Sequence, residues 1–125
     1  MQSEQTDQGV IETWTVNEVA EAREKIVLID VRTPQEHGLE RIGGALLMAL
    51  QEFRPEYLPE QGRKRIVLHC GSGLRSGKAA ALCLAAGLEP IAHMQGGLAA
   101  WKDAGLEYIG TDMATGAPKV SRKDG

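Results

Sequence analysis

Aromatic residues are scarce in this chain: two Trp, two Tyr and one Phe, 4% of 125 residues. Its core must therefore be filled by Ala, Leu, Ile and Val. No apolar run approaches the roughly 18 residues of a membrane span, and Met1 to Gly9 is polar and acidic rather than basic and then apolar. The expectation is a cytoplasmic protein with no membrane partner. Only two cysteines occur, which is neither a disulfide framework nor a metal-ligand spacing, so no metal site is expected. If Ser76 to Ala86 is a helix, Cys83 lies roughly 10 Å along its axis from the loop after Cys70. A disulfide needs Cα atoms within about 7 Å, so the two cysteines should act separately. Acidic residues are missing altogether between Gln61 and Leu88, a stretch that carries Arg63, Lys64, Arg65, Arg75 and Lys78 in a chain of net charge -3. An acidic protein with one local basic segment argues against nucleic-acid binding and for a small anion held at one place. Arg63 to Arg65 by themselves are read as a solvated turn.

What the chain does contain fits one domain. Hydrophobic residues at 42% and charged residues at 25% give a globular balance. Residues 1–9 and 111–125 lack apolar periodicity and are expected to be flexible ends around a working domain at 10–110. Ile26 to Ile29 and Ile66 to Leu68 are short, unbroken, β-branched runs, the pattern of strands buried on both faces. Pro90 to Met94 is a weaker strand candidate and Ile11 to Trp14 a possible edge strand. Thr15 should cap a helix over Val16 to Glu24, and Thr33 a short turn opened by Pro34. Leu47 to Leu58 should start helical until Pro55 ends or kinks it. Ala79, Leu82, Cys83 and Ala86 recur at helical spacing before Gly87, and Leu98 to Ala104 repeats the arrangement before Gly105. Strands alternating with helices predict a mainly parallel sheet covered on both faces.

The run from Ile66 to Lys78 carries the chemistry: a buried strand, a short loop, then a helix. Ligands bind at the carboxyl ends of parallel strands, and Cys70 stands at such an end. Gly71 and Gly73 let the loop curl so that successive N–H groups converge above the sulfur. The helix N-terminus adds partial positive charge and Arg75 a full one. Together they should push the thiol below its reference value of about 8.5 and cradle an anion or the outer sulfur of a persulfide. Cys83, on the apolar face of its helix, is expected to be core packing.

Three stretches, in order, make the chain similar to rhodanese-like domains, a family of sulfurtransferase homology modules. Leu28-Ile29-Asp30-Val31-Arg32-Thr33-Pro34-Gln35-Glu36, followed by Ile42-Gly43-Gly44-Ala45, resembles the first signature of that family. Cys70 to Ser76 resembles its active-site loop, and Met94-Gln95-Gly96-Gly97 with Trp101 its closing signature. The resemblance spans about Val10 to Ile109. It implies an α/β fold with a five-stranded, mainly parallel sheet and helices on both faces. It also implies that Cys70 forms the persulfide, that Gly71, Ser72, Gly73, Leu74, Arg75 and Ser76 bind substrate, and that Asp30 and Arg32 serve as a supporting ion pair rather than in the chemistry. The activity implied is transfer of a sulfane sulfur from a small anionic donor such as thiosulfate to cyanide, a thiol or a protein, with no cofactor. Gly71-Ser72-Gly73 resembles loops that use 3-mercaptopyruvate, whereas Arg75 resembles those of single-domain thiosulfate users. The chain departs from the family at Glu40-Arg41-Ile42-Gly43-Gly44-Ala45, where Gly-His-Ile-Pro-Gly-Ala is common, so Arg41 and Gly43 are expected to alter the lip of the site.

Two other readings stand beside this one. Cysteine phosphatases and arsenate reductases share the strand, anion loop and helix, but usually place five residues between Cys and Arg. This loop has four, a smaller ring better suited to one sulfur atom, and no motif positions an aspartate as leaving-group acid. A persulfide carrier or interaction module for a protein partner is the second. His69, beside Cys70 on a strand, should project elsewhere. His37 and His93 are single histidines read as structural or exposed, and Trp14 and Trp101 as core or rim packing.

Overall fold

A computed structural model describes residues 1–123. In chain order they form β1 (Gln2–Thr6), β2 (Gly9–Trp14), α1 (Val16–Glu21), β3 (Ile26–Asp30), α2 (Pro34–Leu39), β4 (Leu46–Leu47), β5 (Arg65–His69), α3 (Leu74–Ala85), β6 (Ile91–Met94), α4 (Gly97–Asp103), β7 (Tyr108–Thr111) and β8 (Pro118–Ser121). The apolar runs become neighbouring central strands, as their lack of polar alternation predicts. Six strands pair in the order β1-β2-β6-β5-β3-β4, all parallel except β1, which folds back antiparallel on β2. The parallel five-stranded sheet is therefore present, with a sixth strand added at its edge. β7 and β8 make a separate antiparallel hairpin.

Alternation along the strands sends side chains into two cores. Ile66, Leu68 and Cys70 face α3, packing with Ala79, Ala80, Cys83 and Leu84. Val67, Leu28 and Met94 face the opposite way, toward Val19 of α1 and Leu98 and Trp101 of α4. Each fully buried aliphatic contributes about 1.5 to 3 kcal/mol relative to exposure, so the two apolar faces hold the sheet between its helices. Thr15 with Glu18, and Thr33 with Glu36, form reciprocal capping boxes that start α1 and α2. Among the described residues no helix is long and apolar enough to cross a membrane.

Several elements differ from the sequence reading. Leu46–Leu47 extends the sheet by pairing with Ile29 and Asp30, and the rest of the expected helix breaks into 3₁₀ turns at Leu50–Glu52 and Pro55–Tyr57. Pro55, lacking an N–H, opens the second turn rather than continuing a helix. β2 is not an edge strand, because β1 covers it. At the two ends, read from the sequence as flexible, the backbone is paired: β1, polar and almost wholly exposed, pairs with β2, and β8 pairs with β7. Backbone pairing of this kind leaves no apolar periodicity to read. Residues 124–125 of the expected tail lie outside the described residues.

Candidate active site

β5 delivers Cys70 to the carboxyl edge of the sheet, 1% exposed and on the α3 face. The chain then turns through Gly73, whose φ of +111° lies in the left-handed region open to glycine. That turn aims the Gly73 N–H at Cys70 Sγ, 3.0 Å away, and places Ser76 Oγ at 3.7 Å. Burial alone would push the Cys70 thiol up. Hydrogen bonds from the Ser76 N–H and hydroxyl, and from the N–H groups of Gly73 and Ser72, outweigh it and hold the thiol below its ordinary value. Cys83 has no such partners, and burial pushes it up to about 11. Both cysteines are free.

The loop is braced from behind by α4. Leu98 N–H donates to Cys70 O at 2.8 Å and Ala99 N–H to Gly71 O at 3.1 Å. Gly97 makes this approach possible: a Cβ there would stand 2.3 Å from Cys70 O and 2.6 Å from Gly71 C, and its φ is +60°. Gly97, Leu98 and Ala99 thus act as a backbone splint for the Cys70 loop.

Arg75 does not end free beside the Cys70 loop. Its guanidinium makes a bidentate pair with Glu36 of α2, at 2.6 and 2.9 Å, and Nη2 passes 3.2 Å from where a Cβ on Gly71 would sit. Arg75 holds the Glu36 carboxyl at about 2. A cavity of about 280 Å³ borders this pair, lined by Thr33, Leu50, Arg75 and Lys78. Leu74, by contrast, turns its side chain to solvent with 71% exposure, so the loop offers backbone rather than Leu74 side chain to whatever binds over Cys70.

Asp30 and Arg32 form a buried ion pair at 2.8 Å. Burial opposes the Asp30 charge, but Arg32, His69 and His37 together keep its carboxyl below the usual range. His37 Nδ1 lies 2.8 Å from Asp30, and Arg32 Nη2 donates to Glu40 O at 2.5 Å, so the pair knits the end of β3 to α2. His69 projects to the face opposite Cys70, with Nδ1 3.2 Å from Cys70 O and a buried Nε2 that lies 4.0 Å from Asp30 Oδ1 and has no hydrogen-bond partner among the described residues. Arg41 and Gly43 turn toward Ile109: Arg41 exchanges both backbone hydrogen bonds with it, and a Cβ on Gly43 would meet its side chain at 3.8 Å. Trp101 is core, with Nε1 donating to Glu107 O.

The sequence assigns Glu36 no role of its own, reads His93 as structural or exposed although it stands beside Ser76, and places Gly97 in the closing signature without its approach to the Cys70 loop. Glu36 carried a signal in its capping box, three residues after Thr33. His93 carried none, because its place beside Ser76, 3.1 Å from Nδ1 to Oγ, depends on the strand register.

Comparison with known proteins agrees with this geometry. The model of the rhodanese-like domain family matches residues 15–104. An uncharacterized protein of Synechocystis is 41% identical over 92 residues, 74% of this chain and 51% of its own length, so the chain spans about half of that relative. A sulfurtransferase of Allochromatium vinosum is 33% identical over 88 residues, 69% of this chain and 80% of that one. A tRNA uridine(34) hydroxylase of Cytophaga hutchinsonii is 30% identical over 96 residues, covering 73% of this chain but 30% of its own. In fold, a rhodanese-related protein of Thermoplasma volcanium superposes with a TM-score of 0.71 at 22% identity, over 78% of this chain and 97% of that one. With the family model matched over residues 15–104, most of its length, this chain belongs to the rhodanese-like domain family, whose named relatives include sulfurtransferases.

Proposed function

We propose that residues 10–110 work as a sulfurtransferase that carries sulfane sulfur on Cys70. The observation that supports this best is the sulfur itself: Cys70 Sγ lies under N–H groups that converge from a loop with four residues between Cys and Arg. In the first half-reaction the Cys70 thiolate attacks the outer sulfur of thiosulfate. The S–S bond of the donor breaks, sulfite leaves with the bonding pair, and Cys70 holds a persulfide anion. In the second, cyanide or a thiolate attacks that outer sulfur and Cys70 leaves as thiolate, so charge and electrons balance in both steps. The Gly73 and Ser72 N–H groups stabilise the anionic sulfur, with Arg75 at the rim adding positive charge. No cofactor enters this scheme.

A protein thiol is a further acceptor that this scheme admits, since the second step needs only a thiolate that can reach the outer sulfur. Two unpaired cysteines suit a reducing compartment, and we assign the protein to the cytoplasm. The test is intact mass after incubation with thiosulfate. The protein should gain one sulfur, removable by cyanide; Cys70→Ser should abolish the adduct and Cys83→Ser should leave it. An adduct that persists in Cys70→Ser ends the assignment.

A further inference from the structure

His93 stands within a run of polar side chains that begins at Cys70 and ends at Thr13. Strand register sets it beside Leu68, on the sheet face that carries Cys70 and α3. Cys70 Sγ is 3.7 Å from Ser76 Oγ, Ser76 Oγ is 3.1 Å from His93 Nδ1, and His93 Nε2 is 3.4 Å from Thr13 Oγ1. Ser76 is fully buried and His93 half-buried. The run links three separate elements, β2, β6 and α3, onto one sulfur atom.

The contacts form a hydrogen-bonded chain along which two coupled proton shifts amount to the transfer of one proton. With Cys70 as a thiol, S–H donates to Ser76 Oγ, the Ser76 hydroxyl donates to His93 Nδ1, and Nε2–H donates to Thr13 Oγ1. When the thiol ionises, its proton passes to Ser76 Oγ as the hydroxyl proton passes to Nδ1. The donors between sulfur and ring then reverse: Nδ1–H donates to Ser76, and Ser76 donates to the thiolate. The net change is one proton moved from Sγ to the imidazole. Gly73 O, 3.1 Å from Ser76 Oγ, competes for the serine proton, and an acceptor at Nδ1 draws that proton into the chain.

We propose that His93 is a positioning residue of the Cys70 site: acting through Ser76, it takes up the thiol proton and holds the hydroxyl on the thiolate. This rests on the reading of Cys70 as the nucleophile. The surroundings leave the role to His93 alone. On β2, Thr13 is uncharged and Glu12 faces the other side with Arg65. On α3, Arg75 is engaged by Glu36 and Lys78 is exposed; on β5, His69 faces away. No charged side chain makes a hydrogen bond to His93 among the described residues. Burial keeps its ring below the ordinary histidine value and opposes its charged form, so the ring rests neutral with Nδ1 open to the Ser76 hydroxyl, and the thiolate beyond Ser76 offsets the cost of charging it.

The test is the pH dependence of Cys70 alkylation by iodoacetamide, a neutral reagent, followed by mass mapping of the Cys70 peptide in the full chain. His93→Gln and His93→Asn can hydrogen-bond to Ser76 but cannot hold the proton. Each should raise the midpoint by roughly one pH unit, slowing alkylation about tenfold at pH 7, while reaching the wild-type plateau at high pH. Ser76→Ala should do the same, and Thr13→Val should give a smaller rise. If Ser76→Ala raises the midpoint and both His93 variants leave it unchanged, the hydroxyl acts alone and the proposal fails. A uniform loss of rate at every pH with a fixed midpoint also overturns it, marking His93 as a packing residue. Alkylation reads the thiol directly, so these outcomes are independent of whether thiosulfate yields a sulfur adduct.

Discussion

Glu36→Gln isolates the contact that ties Arg75 across the mouth of the site. Glutamine keeps an oxygen able to accept the Thr33 N–H that Glu36 now accepts, so the α2 cap survives while the carboxylate opposite Arg75 is lost. The hydrogen bond from Arg75 is the largest cause that lowers Glu36 from 4.5 to about 2. Taken at face value this displacement corresponds to about 3.4 kcal/mol. The two side chains are 33% and 38% exposed, however, and solvent screening at that exposure leaves about 1 kcal/mol. Because the folded-state value is depressed, the contribution is complete above the unfolded value of 4.5 and disappears as pH falls toward 2. Urea unfolding at pH 7 should therefore find Glu36→Gln about 1 kcal/mol less stable than wild type, a Tm lower by about 3 to 6 °C. The gap should shrink to less than about half at pH 3 and close near pH 2. The same substitution frees a guanidinium beside the loop, so KM for thiosulfate should fall while kcat stays within about twofold. A stability gap unchanged from pH 7 to pH 3, or none at pH 7, would refute the ion-pair account; an unchanged KM would remove Arg75 from donor binding.

Gly97→Ala should cost at least about 1 to 3 kcal/mol from its positive φ alone, with a further penalty because its Cβ meets the Cys70 carbonyl. Chemical denaturation should show the loss, and any folded fraction should alkylate at Cys70 with a raised pH midpoint. Hydrolysis of an aryl phosphate should be negligible beside sulfur transfer, since the loop is one residue short of the phosphatase ring; Cys70-dependent turnover of the two at comparable rates would reverse their ranking.

The parts of this molecule that were legible in its sequence are those set by neighbours along the chain. Ile26 to Ile29 and Ile66 to Leu68 announced buried strands by their unbroken apolar runs, and Thr33 before Pro34 announced the turn that opens α2. The glycines around Cys70 announced a loop that points N–H groups at sulfur, and Gly73 does so at 3.0 Å. Contacts made through register or across the sheet left no such trace. Nothing in the local pattern says that His93 lies under Ser76, that Arg75 turns to Glu36, or that Arg41 docks against Ile109. The polar hairpin strands β1 and β8 escaped notice because backbone pairing, rather than an apolar face, holds them.

β6 is the last of the parallel strands to be made, yet it fills the centre of the sheet, between β2 and β5. On a ribosome, β2 and the β3–β5 pair must wait for Ile91–Met94 before they share a neighbour. The Cys70 loop waits longer still, for the amides of Leu98 and Ala99. Roughly 30 residues separate Cys70 from Ala99, and at about 5 to 20 residues per second that is an interval of about 1.5 to 6 s. A nascent chain therefore holds its Cys70 loop for seconds without the two α4 amides that brace it, until Leu98 and Ala99 have been made and close behind it.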